Sequence, residues 1–314
     1  HKIARYLVIS LISPSEVKNP TSIAIGSFDG LHAGHRKLIE SVVKENDYTP
    51  TIASFWPHPR EVLYKETRLR LDLPEEKLPI LEDLGIEQLV LIPFDKKLSK
   101  LSAESFIKDI LINQLQAKSI SVGANFRFGF KRSGDINTIR LATKDMDIKL
   151  KIISILEDKK GRISSSRVRD LLQKSDLKNA FKILNRPYSF TGKVVEGKGI
   201  GKSLGFPTAN LEIDGRKFLP GEGVYAAWTT INNSPHKIYS VMNLGTQPTI
   251  DPLLPSAVEV HLINKDINLY GLKLSVEPIE KLRSQIKFQN INQLSNQIMK
   301  DRENALKVLS KHNK

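Results

Sequence analysis

The stretch GSFDGLHAGHRKLI (26–39) sets Asp29, His32 and His35 among three glycines, where an apolar run ends and an amphipathic one begins. This order reads as strand, turn and helix, and a helix N-terminus gathers free amide donors and the positive end of a dipole. Gly26, Gly30 and Gly34 would let a phosphate approach the backbone of Ser27 and Phe28 closely. Two imidazoles at the first helical turn could stabilise oxygens whose charge grows in phosphate chemistry. Asp29 could hold a loop amide or help bind a metal. On these residues alone two other readings stay open: a zinc pair completed by His58, or a plain helix start.

Further stretches could supply the remaining parts of a site. GRISSSRVRDLL (161–172) puts Ser165 at a helix start and Arg167 where it could take a phosphate with two hydrogen bonds, although a capped helix would look the same. SVGANFRFGFKRSGD (121–135) offers Asn125, Phe126, Arg127 and Phe128 to a planar ligand, or to the core. EGKGIGKSLGFPTANLEI (196–213) brings Gly197, Gly199, Gly201, Gly205 and Lys202 together, and closely spaced glycines expose successive amides that cradle phosphates. Only three residues separate Gly197 from Gly201-Lys202-Ser203, so the Walker spacing is not met and a hairpin loop stays open. Behind Pro207, Thr208 and Asn210 lie two apart on an extended segment, face one way, and suit Mg²⁺ with oxygen ligands. In SAVEVHL (256–262), Glu259 and His261 share one strand face. A carboxylate there could accept the proton of an attacking hydroxyl, or stand on an ordinary exposed face.

The elements that must position these residues fall into two textures. TSIAIG (21–26), TIASF (51–55), EQLVLI (87–92), KSISVG (118–123) and KLKIISI (149–155) read as buried strands. HRKLIESVVKE (35–45), PEEKLPILEDLG (74–85), AESFIKDILINQL (103–115) and INTIRLATKD (136–145) between them carry the helix period. Such alternation predicts an α/β domain with a parallel sheet, binding ligands at the carboxyl ends of its strands. After two short helices over 167–187 the texture changes near 185–187. YSFTGKVVEG, GVYAAWTTI, HKIYSVMNLG, SAVEVHLI and KLSVEPIEKL, broken by Gly, Pro and Asn, predict a small antiparallel β-barrel, with a terminal helix over 290–309. The predicted domains are 1–185 and 186–314.

Composition narrows the setting. The 314 residues contain no cysteine, which excludes disulfides and thiolate metal sites and fits a cytoplasmic protein. No apolar run reaches the roughly 18 residues of a membrane helix, and HKIARYLVISL reads as a first strand rather than a secretion signal. The formal charge of +14 raises the local concentration of anions without choosing among them.

GSFDGLHAGH, ASFWPHPREVL, VGANFRFGFKRSGD and ISSSRVR, in this order, resemble the adenylyltransferase half of the bifunctional bacterial riboflavin kinase/FAD synthetases. GKSLGFPTANL, GVYA, NLGTQPT and VEVHL resemble that family's riboflavin kinase half. The resemblance implies a Rossmann-like nucleotidylyltransferase domain and a small β-barrel kinase domain. The implied chemistry is phosphorylation of riboflavin by ATP to FMN, then adenylylation of FMN to FAD with loss of pyrophosphate. His32, His35, Ser165 and Arg167 would then meet the ATP phosphates, and Pro57, Pro59, Asn125, Phe126 and Phe128 the flavin. Glu259 would be the kinase base, Thr208 and Asn210 the Mg²⁺ contacts, and 197–205 the ATP loop. Two positions depart from the pattern: Trp56 stands where an acidic residue often precedes P-H-P, and Ala124-Asn125 where an acidic pair is frequent. The implied partners are small molecules, with no nucleic acid or membrane, on a monomer or weak homo-oligomer. Retention of only one activity is the nearer alternative. A basic nucleic-acid-binding barrel is the remoter one, poorly served by 7% aromatic content.

Overall fold

The computed structural model describes residues 9–66, 69–197, 205–245, 255–265 and 267–312. Gly199, Gly201, Lys202 and most of the NLGTQPT stretch lie outside them. The chain divides into two compact units, 1–68 with 72–164 and 69–71 with 165–314. This division falls earlier than the change of texture at 185–187.

In the first unit, the described strands β1 (Ser10–Ile12), β2 (Thr21–Ile25), β3 (Thr49–Trp56), β4 (Gln88–Pro93), β5 (Ala117–Gly123) and β6 (Lys149–Ile153) form a parallel sheet in the order β1-β4-β3-β2-β5-β6. The chain steps outward from β2 through β3 to β4, then returns to the other side of β2 with β5. The carboxyl ends of β2 and β5 therefore flank the switch point where such sheets hold ligands. Strand β2 is buried along its whole length, as a central strand covered on both faces must be.

Helix α1 (Ala33–Val43) runs from the carboxyl end of β2. Its far end is tied down from three strands: Ser22 Oγ donates to Val42 O (3.0 Å), Ser41 and Ser121 hydroxyls meet at 2.6 Å, and Lys151 Nζ donates to Ser41 O (3.1 Å). With that end pinned, the N-terminal turn is fixed beside the switch point. Helix α2 (Pro59–Tyr64) follows β3 and was not evident from the sequence, being only six residues long. Helix α3 (Pro74–Asp83) precedes β4. The stretch read as a helix over 103–115 begins as one turn, α4 (Ala103–Ser105), and continues with π-helical bonding over Phe106–Gln114. Helix α5 (Ile136–Thr143) leads into β6, and a short hairpin, β7 (Glu157–Asp158) with β8 (Gly161–Arg162), ends the unit.

In the second unit, helices α6 (Ser165–Gln173) and α7 (Leu177–Leu184) precede strands β9 (Phe190–Val195), β10 (Ala209–Ile213), β11 (Gly223–Ile231), β12 (Ile238–Leu244), β13 (Ser256–Leu262) and β14 (Lys273–Arg283). These strands close an antiparallel barrel in the order β10-β13-β12-β11-β14-β9. Val258, Val260 and Leu262 of β13 are buried while Glu259 is exposed, as the period of two requires. Helix α8 (Ile291–Lys311) sets Ala305 and Leu309 against Ala226 and Trp228 of β11. Arg283 of β14 grips Asp301 of α8 through Nε and Nη2, the latter 2.7 Å from Oδ2, with little exposure of either side chain.

Candidate active sites

The loop from Gly26 to His32 is held in an unusual shape. Phe28 (φ 46°), Gly30 (φ 91°) and Leu31 (φ 44°) all take left-handed backbone, and the two bulky residues are completely buried. Left-handed bulky residues persist only where the surroundings over-determine them, and they concentrate at functional sites. Ser27 O is held from two sides, by Lys77 Nζ of α3 at 3.0 Å and Ser54 Oγ of β3 at 3.2 Å. His32 is the N-cap of α1, and its carbonyl accepts from the amides of His35 (2.8 Å) and Arg36 (3.1 Å).

The imidazoles of His32 and His35 stack, with ring centroids 3.7 Å apart and planes 17° apart, and Phe28 lies 5.2 Å from the His35 ring. Gly34 makes room for this, since a Cβ there would lie 3.2 Å from His32 Cε1. Burial pushes His32 down to about 4, against a smaller upward pull from Asp29. Burial also holds His35 well below its ordinary value, helped by His32, Lys77 and Arg162. Both rings are therefore neutral at neutral pH, and the positive charge around them comes from Lys77 and Arg162. Both Nδ1 atoms are buried without a hydrogen-bond partner. Buried polar atoms of this kind call for an explanation, and an oxygen-rich ligand supplies one.

His58, the third ligand of the zinc reading, is engaged otherwise: its Nδ1 caps α2 by accepting from Arg60 N at 3.1 Å. Among the described residues no group of three or more His, Asp or Glu is placed to hold a metal.

An aromatic row runs from Phe94, just after β4, through Phe55 within β3 to the stretch after β5. Phe94 meets Phe55 at 5.7 Å, Phe55 meets Phe106 at 6.1 Å, Phe106 meets Phe128 at 5.5 Å, and Phe128 stacks on Phe126 at 5.4 Å. Phe128 is buried and belongs to the core, while Phe126 is only half-buried and Asn125 is exposed. Pro57 is exposed and Pro59 half-buried at the start of α2. Arg127 pairs with Asp135, the N-cap of α5, at 2.7 Å. Ser165 and Arg167 open α6 and belong to the second compact unit.

In the barrel, cross-strand register places Asn210 (β10), Glu259 (β13) and Asn243 (β12) side by side in one row. Asn243 Nδ2 donates to Glu259 Oε2 at 3.3 Å, and Gln285 Nε2 fixes Asn243 by donating to its Oδ1 at 2.8 Å. Gly197 lies so close beneath Asn210 that a Cβ would overlap its side-chain amide. Thr208 is exposed just before β10. His261 points to the same side as Glu259 but is covered: its Nδ1 bonds Pro207 O at 2.8 Å and its Nε2 is buried without a partner. A cavity of about 460 Å³ beside it is lined by Gly205, Phe206, Pro207 and Arg302 among others.

Residues 15–167 match the FAD synthetase family and residues 184–309 the riboflavin kinase family. A bifunctional riboflavin kinase/FMN adenylyltransferase from Buchnera aphidicola subsp. Schizaphis graminum is 35% identical over 95% of this chain and 96% of its own. One from Haemophilus influenzae is 33% identical over 95% of this chain and 97% of its own. The chain belongs to the bifunctional riboflavin kinase/FMN adenylyltransferase family. A solved structure described as a macrolide-efflux protein from Streptococcus pneumoniae superposes with a TM-score of 0.78 at 27% identity, over 94% of this chain and 98% of that one. Among the described residues no helix is long and apolar enough to cross a membrane.

Within the FAD synthetase match, sequence reasoning missed Lys77 and Arg162. Lys77 looks like a solvent-facing residue of an amphipathic helix, yet it is 6% exposed. Arg162 stands just ahead of the serine run, and only the fold brings its charge to the two histidines.

Proposed function

We propose that the two activities of this bifunctional riboflavin kinase/FMN adenylyltransferase are carried by separate residue sets, one in each compact unit. The observation that carries this is the separation itself: His32 and His35 sit at the sheet's switch point in one unit, Glu259 and Asn210 in one row of the barrel in the other.

In adenylyl transfer an oxygen of the FMN phosphate attacks the α-phosphorus of ATP, the α–β bridging bond breaks, and pyrophosphate leaves. The loop Gly26–Gly30, Gly34 and the α1 N-terminus hold the phosphates, and the His32 and His35 imidazoles donate hydrogen bonds to oxygens that gain charge. Arg162 adds positive charge from within the same unit. Pro57, Pro59, Asn125 and Phe126 receive the flavin, with Phe128 supporting Phe126 from the core.

In riboflavin phosphorylation the 5′-hydroxyl oxygen attacks the γ-phosphorus of ATP and ADP leaves, while Glu259 takes the hydroxyl proton. Asn243 aligns the Glu259 carboxylate, and the 197–205 segment with Pro207 holds the nucleotide. Thr208 and Asn210 would hold Mg²⁺. Two neutral oxygens and no acidic cluster among the described residues suit an ion whose other ligands are phosphates and water. When bound, Mg²⁺ neutralises phosphate charge. The enzyme acts on riboflavin, FMN, FAD and ATP in the cytoplasm, as a monomer or weak homo-oligomer.

The test supplies riboflavin with Mg-ATP, or FMN with Mg-ATP, and follows FMN and FAD by chromatography. His35→Ala is expected to abolish FAD formation and keep FMN formation. Glu259→Ala is expected to make no FMN yet convert supplied FMN to FAD. Loss of both products in folded His35→Ala would refute the two-site assignment.

A further inference from the structure

We infer that Lys77 is a positioning residue for adenylyl transfer, holding the histidine pair through the carbonyl of Ser27; this rests on the proposed role of His32 and His35. A chain of contacts runs from helix α3 into the site. Lys77 Nζ donates to Ser27 O at 3.0 Å, the next residue is the left-handed and fully buried Phe28, the Phe28 ring lies 5.2 Å from His35, and His35 stacks on His32 at 3.7 Å.

The carbonyl of Ser27 and the amide of Phe28 belong to one planar trans peptide and point in opposite directions. Lys77, joined by Ser54 Oγ at 3.2 Å, therefore fixes the direction of the Phe28 N–H as well as the carbonyl. Both donors come from outside the loop, from α3 and β3. They supply the external constraint that a run with left-handed Phe28, Gly30 and Leu31 needs in order not to relax. Lys77 is also 6% exposed, so its ammonium acts through little intervening water, and its charge bears on His35. A lysine that served only to anchor α3 would need neither the contact with this carbonyl nor the coupling to the imidazole.

The experiment compares Lys77→Met, Lys77→Arg, Ser54→Ala and the Lys77→Met/Ser54→Ala double variant in the full chain. FAD formation from FMN and Mg-ATP and FMN formation from riboflavin and Mg-ATP are measured separately. Misplacing reacting groups by about 1 Å costs on the order of 100-fold, so Lys77→Met is expected to lower kcat for FAD formation by about 10- to 100-fold with KM values nearly unchanged. Riboflavin phosphorylation by the same molecules should keep its wild-type rate, which reports a folded barrel unit, and urea unfolding read from Trp56 in a Trp228→Phe background reports that the first unit is folded. Lys77→Arg should recover most of the lost kcat. Ser54→Ala should lower kcat by a few-fold, and the double variant should lose less than the product of the single losses, because both donors act on one carbonyl.

Wild-type kcat in Lys77→Met, a loss confined to KM, or losses that multiply would each overturn the assignment. Should Lys77→Met not fold, wild-type kcat in Ser54→Ala would overturn it equally. A wild-type chain forming FMN but no FAD would instead refute the adenylyl-transfer reading beneath it.

Discussion

Acidifying the protein from pH 7.5 to 5.5 should weaken the first unit through His32. Its imidazole titrates at about 4 in the folded protein against an ordinary 6.5, because burial penalises the cation. The folded value is the lower one, so the unfolded chain binds the proton first. The stability contributed is complete above 6.5 and is lost as the pH falls toward 4. Linkage between these two values gives a loss of about 1.3 kcal/mol between pH 7.5 and 5.5, and of about 3 kcal/mol once both forms are protonated. His35 is displaced the same way and adds to the loss. The chain's two tryptophans provide the assay, since Trp56 lies at the end of β3 and Trp228 in the barrel strand β11. His261 of the barrel is also held below its ordinary value, so the units must be followed separately. In a Trp228→Phe background, urea unfolding read from Trp56 isolates the sheet. His32→Gln, which cannot take up the proton, should be less sensitive to this change of pH by about 1.3 kcal/mol. Parallel pH dependence with and without His32→Gln would refute the buried, neutral imidazole.

Two further outcomes test the barrel. Gly197→Ala must displace the Asn210 side chain, and is expected to raise KM for Mg-ATP in riboflavin phosphorylation while leaving adenylylation of supplied FMN unchanged; steady-state kinetics of both reactions check this. Asp301→Asn leaves the shielded Arg283 guanidinium without its carboxylate, and should destabilise the second unit by about 3 kcal/mol in urea unfolding followed through Trp228.

The parallel sheet and the barrel were legible because strand and helix periods differ and because β-branched runs were separated by turn residues. The motifs around His32, Asn125, Asn210 and Glu259 were legible because residue type and order survive without coordinates. Length hid α2, whose six residues after β3 are too few to show a period. The period of 3.6 also concealed the π-helical bonding over Phe106–Gln114, since a π-helix still presents an apolar face: Phe106, Ile107, Ile110 and Leu111 are buried.

The sequence by itself determined which residues could do chemistry and that two kinds of domain would carry them. Closely spaced glycines, imidazoles and a carboxylate on a strand are statements about residue type and local spacing. Only the tertiary structure decided their state and support. His32 and His35 are neutral because distant elements bury them and Lys77 and Arg162 bring charge from elsewhere in the chain. Ser27, next to the left-handed Phe28, is held from α3 and β3, a constraint that no local sequence encodes. Burial, charge and strain depend on what packs from afar, and GSFDGLHAGH contains none of those neighbours.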